Sequence, residues 1–353
     1  MSPQFLHFSQ TSIALGATAI AATIAAVWWH RVQRKKIPTK WRRVGEISEL
    51  IFYPLKSGRG FELEEAECTE LGLRTTDNAP KEIQNLRDRT FLVYDANTYA
   101  FMTCRKFPSL MLVSLKHAGD GIIVLEAPGM PALQLKLPDE ASVPEKKTLT
   151  MWFDEKVEAV DCGDEAAAWL CQYLKKEGTW LRLGYHAAER VARRRLTVAP
   201  WDKFKKYYSN MQDEYSGAFA DLVSFMLISE SSLEDLKKRL PTHLQTIPPK
   251  QFRPNLVVKG TKPYEEDDWD WVKIGEHIVM RGVKPCTRCT MTTMDPETGI
   301  REPSMEPLRT LKAYRQLKDP RAKELEGDSP VMGLYLGLHA GGLAKVGDPV
   351  YVG

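Results

Sequence analysis

The feature that most constrains this chain is a break in its charge. Residues 1–29 contain no Asp, Glu, Lys or Arg, whereas residues 31–43 carry seven basic side chains (Arg31, Arg34, Lys35, Lys36, Lys40, Arg42, Arg43) and no acid. Within the uncharged stretch, Thr11 to Trp29 reads TSIALGATAIAATIAAVWW. As a helix it would reach roughly 28 Å at about 1.5 Å per residue, close to the hydrocarbon thickness of a bilayer. A secretory signal peptide places its charge before the apolar run and small residues after it. Here the run ends in Trp28, Trp29 and His30, aromatic residues that mark an interface, and the basic cluster that follows marks a cytoplasmic stop. A core helix of this length would carry a polar stripe, and this one carries none. The expected arrangement is a transmembrane signal-anchor over 1–30, a basic juxtamembrane linker over 31–43 and a cytosolic body. The abundance of Ala and scarcity of Leu suit the mitochondrial outer membrane, with the endoplasmic reticulum as the alternative.

The chain of 353 residues has 49 Lys+Arg and 46 Asp+Glu. Without the seven juxtamembrane cations the body holds 42 basic against 46 acidic residues, a net of −4. A mildly acidic body argues against a general nucleic-acid binder, which needs clustered surplus cations. With 43% hydrophobic and 27% charged residues the body can bury one large or two ordinary cores, which excludes wholesale disorder.

From Val44 onward, short apolar or alternating runs separated by turn residues predict strands at 46–53, 62–69, 90–95, 110–116, 121–126, 133–137 and 156–160. A helical period predicts a helix over 164–176. The Arg-rich run 189–195 and the aperiodic segment 200–213 read as a solvated linker and domain junction, with a phosphate or partner site as the alternative. Further on, strands are predicted at 225–229, 255–258, 271–274, 278–284, 290–293, 334–338 and 350–352. Helices are predicted at 307–316 and up to Leu240, the latter opened by a capping box of Ser231 and Glu234. This is a strand-rich α+β pattern with a barrel as its natural closure. It contains no GxGxxG and no P-loop.

The chemistry concentrates in Lys284-Pro-Cys-Thr-Arg-Cys-Thr-Met-Thr-Thr. Cys286 and Cys289 could be half a zinc site, a redox dithiol, or one ligating thiol beside a structural one. Zinc lacks a second ligand pair, since Cys162 and Cys171 are separated by eight residues and His is scattered. A thioredoxin-type dithiol should open a helix, and strand-formers follow Cys289. What is left is a single reactive or ligating thiolate, favoured by Arg288 and Lys284 nearby, or two buried reduced cysteines at a strand start. Lys56, Arg89 and Arg253 each sit at a strand end, where a solvated side chain is the ordinary case; together they could form a pocket for an anionic, phosphate-bearing ligand.

These segments are recognisable. YPLKSGRG (53–60), LRDRTFLV (86–93), DCGDEAAAWL (161–170), LISESSLEDLKKRL (227–240), FRPNLVV (252–258), YEEDDWDWVKIG (264–275), CTRCTMTTMDPETG (286–299), EPLRTLKAYR (306–315) and VGDPVY (346–351) resemble the mitochondrial amidoxime-reducing component family, the eukaryotic branch of the MOSC-domain molybdenum proteins. The resemblance runs over 44–353, and C-x-R-C followed by TT-x-DP-x-TG is highly specific. It implies a MOSC N-terminal β-rich domain (44–190) and a MOSC β-barrel domain (191–353), with a molybdenum pyranopterin cofactor between them. By position, Cys289 would be the thiolate ligand to the metal. Lys56, Ser57, Arg89, Arg253, Asn255, Thr287, Arg288 and Tyr335 would hold the cofactor. One departure stands out: where the family usually has small hydroxyl residues, this chain has Asp221-Leu222-Val223-Ser224. Hydroxyl contacts there are either lost or supplied by Ser224.

The resemblance implies a reductase of N-hydroxylated compounds such as amidoximes and hydroxylamines. No flavin or haem motif is present, so electrons would come from partners, a small b-type cytochrome and its NADH-dependent flavin reductase. The rival reading is a MOSC protein that carries cofactor or sulfur to other enzymes; it would go with a pyridoxal-phosphate-dependent desulfurase domain, and none is found. A third is a tethered scaffold whose barrel has lost its cofactor.

Overall fold

The computed structural model describes residues 36–138, 146–175, 180–187 and 192–353. The expected anchor over 1–30 and the basic residues up to Lys35 lie outside them. Among the described residues no helix is long and apolar enough to cross a membrane. Arg42–Val352 forms one compact unit, and all that follows concerns that unit.

Its centre is a closed barrel. Going round, the strands are Leu256–Lys259, Phe225–Ser229, Val331–Ala340, Ile278–Thr287, Trp271–Ile274, Pro349–Val352 and Arg42–Phe52, the last pairing back onto Leu256–Lys259. Closure leaves no free edge among these strands. The closing strand shows why its sequence does not alternate cleanly: Val44, Ile47 and Leu50 are all buried at a spacing of three. Register shifts between Arg43 and Gly45 on one side, and between Ile47 and Glu49 on the other, insert the extra residues. Gly45 is required at the first shift, because a Cβ there would lie 2.0 Å from the Lys259 carbonyl oxygen. Although this strand opens the N-terminal half of the sequence and also pairs with Phe61–Leu63, its two partners in the barrel come from the C-terminal half.

Phe225–Ser229 and Leu256–Lys259 run parallel, a pairing that needs a crossover. The helix Glu230–Arg239 begins that crossover. Its cap is Ser229, whose Oγ accepts from Ser232 N at 3.2 Å, two residues earlier than the capping box read from the sequence. Lys237, Lys238 and Arg239 close the last turn against the helix dipole. Opposite, Ile278–Thr287 and Val331–Ala340 form the long antiparallel ladder that carries Cys286, Thr287 and Tyr335 at one end.

Of the remaining N-terminal residues, some build a five-stranded sheet in the order Lys147–Thr150, Lys156–Asp161, Leu181–Tyr185, Phe91–Asp95, Phe101–Met102, with the helix Asp164–Tyr173 against it; others form two three-stranded sheets, one of Ser114–His117, Ile122–Glu126 and Leu133–Lys136, the other with Glu65–Thr69 between Gly72–Arg74 and Gly342–Lys345. Arg182 grips Asp161 with Nε and Nη2, both at 2.6 Å. Lys147–Thr150 escaped the sequence reading because only Leu149 of its four residues is buried. The helices Asp202–Tyr207 and Pro320–Glu326 are too short to show a period.

Three expectations are overturned. The strand read at 110–116 starts only at Ser114, because Pro108–Leu112 is a 3₁₀ turn. Thr290–Thr293 is a 3₁₀ turn, not a strand. Thr292 Oγ1 donates to Cys289 O at 3.0 Å and Thr293 Oγ1 to Thr290 O at 2.8 Å, so the hydroxyls that favour a ladder instead close a local turn. Nor are the arginines near 189–195 all solvated. Arg194 is buried, its Nε and Nη2 on the Glu155 carboxylate at 2.9 and 2.8 Å. Arg193 ties Glu70 to the 213–216 turn.

His186 follows the Leu181–Tyr185 strand, buried edge-on to Phe219 at 5.5 Å. Burial, reinforced by Arg194, Arg87 and Arg193, pushes its pKa down to about 4. The unfolded chain therefore binds a proton below about pH 6.5 that the folded one refuses until about pH 4. Stability is expected to be full above that window and to fall by on the order of 2–3 kcal/mol as the pH drops through it. His186→Gln should flatten that slope in urea titrations at pH 7, 6 and 5.

Candidate functional site

Two loops are zipped together at one end of the barrel. Lys56 N donates to Phe91 O at 2.7 Å, Arg89 N to Tyr53 O at 2.7 Å and Phe91 N to Pro54 O at 3.0 Å. Ser57, Arg89 and Arg253 all adopt left-handed backbone, with φ of 66°, 49° and 54°. That conformation is disfavoured for side-chain-bearing residues and concentrates where geometry serves function. Here it turns three polar side chains toward one cleft of about 670 Å³, its open mouth included.

Every residue singled out from the sequence lines this cleft: Lys56, Ser57, Arg89, Arg253, Asn255, Thr287, Arg288, Cys289 and Tyr335. The structure adds Asp221, Gln251 and Thr292 among its polar lining. No local pattern marked Asp221, since its importance lies in what it meets across 165 residues. The Lys56 ammonium, almost wholly buried, donates to Asp221 Oδ1 at 2.5 Å and to Phe219 O at 2.9 Å. Burial lowers the Lys56 pKa, and Asp221 opposes that. Burial alone would raise the Asp221 carboxyl, but Lys56 and the Trp152 indole, donating at 2.8 Å, hold it well below the usual carboxylate range.

Arg89 and Arg253 lie over the ring of buried Tyr53, at 4.9 and 4.1 Å from its centroid. Arg89 bonds Asp88, Asn255 Oδ1 at 3.1 Å and Arg253 O at 3.1 Å. Among the described residues Arg253 has no carboxylate partner: Nη1 donates to Gly58 O at 2.8 Å, and buried Nη2 has no partner. Burial and the like charge of Arg89 pull its pKa down. Ser57 Oγ is likewise buried, with no partner beyond the neighbouring Cys104 thiol. Asn255 joins the halves through Ile51 O at 3.2 Å and Met226 N at 3.3 Å. Among the described residues, the carboxylates paired with these cleft cations are Asp221, on Lys56, and Asp88, on Arg89.

Arg288 differs from the others. Its donors are taken by Met332 O at 2.8 and 2.6 Å and Phe252 O at 3.0 Å, so it braces the walls. Lys284 is held by Glu326 at 2.7 Å, both side chains buried, and Glu326 also accepts from Thr287 Oγ1 at 3.0 Å. These cations do not acidify Cys289 as the sequence implied. The thiol sits within the cleft, where desolvation raises its pKa and outweighs Arg105 and Arg288. Cys289 is nevertheless the one exposed cysteine of the six; Cys286 is packed inside. Ser224 does not replace the missing hydroxyl contacts, because its Oγ is bonded to Glu70 O and Tyr215 O. Leu222 and Val223 pack with Leu196, Trp201 and Phe204.

Residues 44–177 match the MOSC N-terminal beta barrel domain and residues 214–351 match the MOSC domain. Mitochondrial amidoxime reducing component 2 of Bos taurus is 38% identical to this chain, over 90% of it and 87% of that protein. The chain belongs to the mitochondrial amidoxime-reducing component family. Mitochondrial amidoxime-reducing component 1 of Homo sapiens is 37% identical over 96% of this chain and 91% of its own length. Component 2 of Rattus norvegicus is 36% identical over 96% and 91%. Both departing residues, Leu222 and Val223, belong to the small core of Leu196, Trp201 and Phe204, and Val223 also lines the cleft.

The Glu155–Arg194 pair supports the cleft from below, Arg194 Nη1 donating to Ala220 O at 2.5 Å and Nη2 to Asp221 O at 3.3 Å. Removing one partner of a buried pair leaves an unpaired charge, so Glu155→Ala is expected to destabilise by about 3–5 kcal/mol. Asp154→Ala, which breaks the exposed pair with Lys156, should change stability by less than about 1 kcal/mol. Chemical denaturation of the two variants checks both.

Proposed function

We propose that this chain is a molybdenum-cofactor-dependent reductase of N-hydroxylated compounds, amidoximes and hydroxylamines among them, working in the cleft that ends at Cys289. The observation that carries the reading is the meeting of an exposed soft thiol with buried cations that the protein leaves uncompensated. A buried charge without a counter-charge is unfavourable, and an anionic phosphate with hydrogen-bonding heterocycle atoms supplies what Arg253 Nη2 and Ser57 Oγ lack. A thiolate is the ligand type a soft metal selects. The donor set therefore fits the cofactor. Cys289 would ligate the metal, with Lys56, Ser57, Arg89, Arg253 and Asn255 on the phosphate and pterin and Thr287 and Tyr335 along the wall. When bound, the cofactor supplies the two-electron chemistry that releases the N-bound oxygen as water.

The chain's own residues do the rest. Asp221 holds the Lys56 ammonium in place, and Arg288 locks the 286–289 loop to Met332 and Phe252. Gln251 Nε2 pins the turn after Cys289 through Thr292 O at 2.8 Å. Electrons would arrive from a b-type cytochrome and its NADH-dependent flavin reductase. Domain limits of 44–190 and 191–353, and a mitochondrial outer-membrane site through the 1–30 anchor with the body in the cytosol, belong to the same reading; the relatives' names include the word mitochondrial.

Full-length protein produced with the cofactor pathway should contain about one molybdenum per chain and reduce benzamidoxime when given electrons. Cys289→Ala should lose at least about tenfold in bound metal, and Cys286→Ala should stay within about twofold because its thiol is buried in the cleft wall rather than exposed. Elemental analysis and turnover decide: a Cys289→Ala protein with full metal and full reduction overturns the assignment.

A further inference from the structure

Beyond Asp221, one rim of the cleft is a short stack of side chains. Trp152 donates to Asp221 Oδ1 at 2.8 Å, and Phe101 meets its ring edge-on at 4.4 Å. The Arg105 guanidinium lies over the indole, 4.0 Å from the ring centroid. Among the described residues this guanidinium donates no hydrogen bond and has no ion pair; Arg105 takes part in hydrogen bonding only through its carbonyl, which accepts from Arg301 Nη2 at 2.8 Å. Stacking covers the face of a guanidinium and leaves its in-plane donors available. The acid that Trp152 contacts, Asp221, is already engaged by Lys56, and Asp154, two residues beyond Trp152, by Lys156 at 2.8 Å. Arg301 brings a second cation against the same strand of backbone. The stack meets the cleft through Asp221, which lines it and accepts from the Trp152 indole.

We propose that Arg105, held over Trp152 at the cleft rim, selects substrates, binding the carboxylate of N-hydroxylated compounds that carry one. This rests on the reductase reading above. The cations deeper in the cleft, Arg89 and Arg253, serve the cofactor phosphate, so the rim guanidinium is the one left for a substrate anion. A carboxylate suits it because both are planar and can meet through two parallel N–H···O bonds. A neutral substrate gains nothing from this contact, so the effect appears as a ratio.

The test uses the cofactor-loaded full-length enzyme with para-carboxybenzamidoxime and benzamidoxime. Affinity is measured calorimetrically without an electron donor, and kcat/KM with one. The carboxylated compound should bind more tightly, by about tenfold for a charge-assisted contact. Arg105→Gln should bring the ratio of the two affinities close to one, Arg105→Lys should restore part of it, and added salt should shrink it. Equal affinities in the unmodified enzyme, or a ratio unchanged in Arg105→Gln, overturn the proposal. If the carboxylated compound binds through Arg105 but neither compound is reduced, the rim site stands and the reductase reading fails.

Discussion

The buried positive charge around Tyr53 is the constraint on which the rest of the structure depends. Two guanidinium groups share one aromatic ring, and a buried ammonium lies nearby. Such a cluster repels itself and loses hydration, so the fold must hold it in place. Asp88 and Asp221 neutralise part of the charge, and carbonyls of Gly58, Phe219 and Arg253 accept from the rest. These contacts join residues far apart in sequence, so the arrangement exists only when both halves of the chain are folded together. The charge still uncompensated is what makes the cleft suited to an anionic cofactor.

Support for the cluster comes from elements with no part in the chemistry. The barrel is closed by a strand whose bulges let three inward residues fall at a spacing of three, with Gly45 admitting the Lys259 carbonyl. Closure fixes the Lys56 loop, which follows that strand, against the ends of the two strands that carry Asn255 and Thr287. From the other side the Glu155–Arg194 pair grips the backbone at Ala220 and Asp221. An arginine in what reads as a polar linker is thereby part of the floor of the site.

Different signals made different parts legible. The strands Phe91–Asp95, Phe225–Ser229 and Trp271–Ile274 announce themselves by apolar runs, and the helix Asp164–Tyr173 by its period. Lys147–Thr150 did not, because a mostly exposed strand has little apolar pattern to display. Thr290–Thr293 misled because β-branched residues favour strands, yet their hydroxyls here bond back to nearby carbonyls. The cleft residues were legible chiefly through family resemblance; strand-end cations such as Lys56 and Arg89 ordinarily face solvent.

The sequence by itself determined the residue types at the site, the strand-rich class and the family, since these follow from local pattern and from motifs such as C-x-R-C. It could not determine Asp221 as the partner of Lys56, the bracing role of Arg288, the burial of Arg194, or a Cys289 thiol raised rather than lowered. Each of those is set by what surrounds a group in space. Charge neighbours and desolvation depend on the packing of segments that lie 39 residues apart for Arg194 and Glu155, 44 for Arg288 and Met332 and 165 for Lys56 and Asp221, and only the folded chain brings them together.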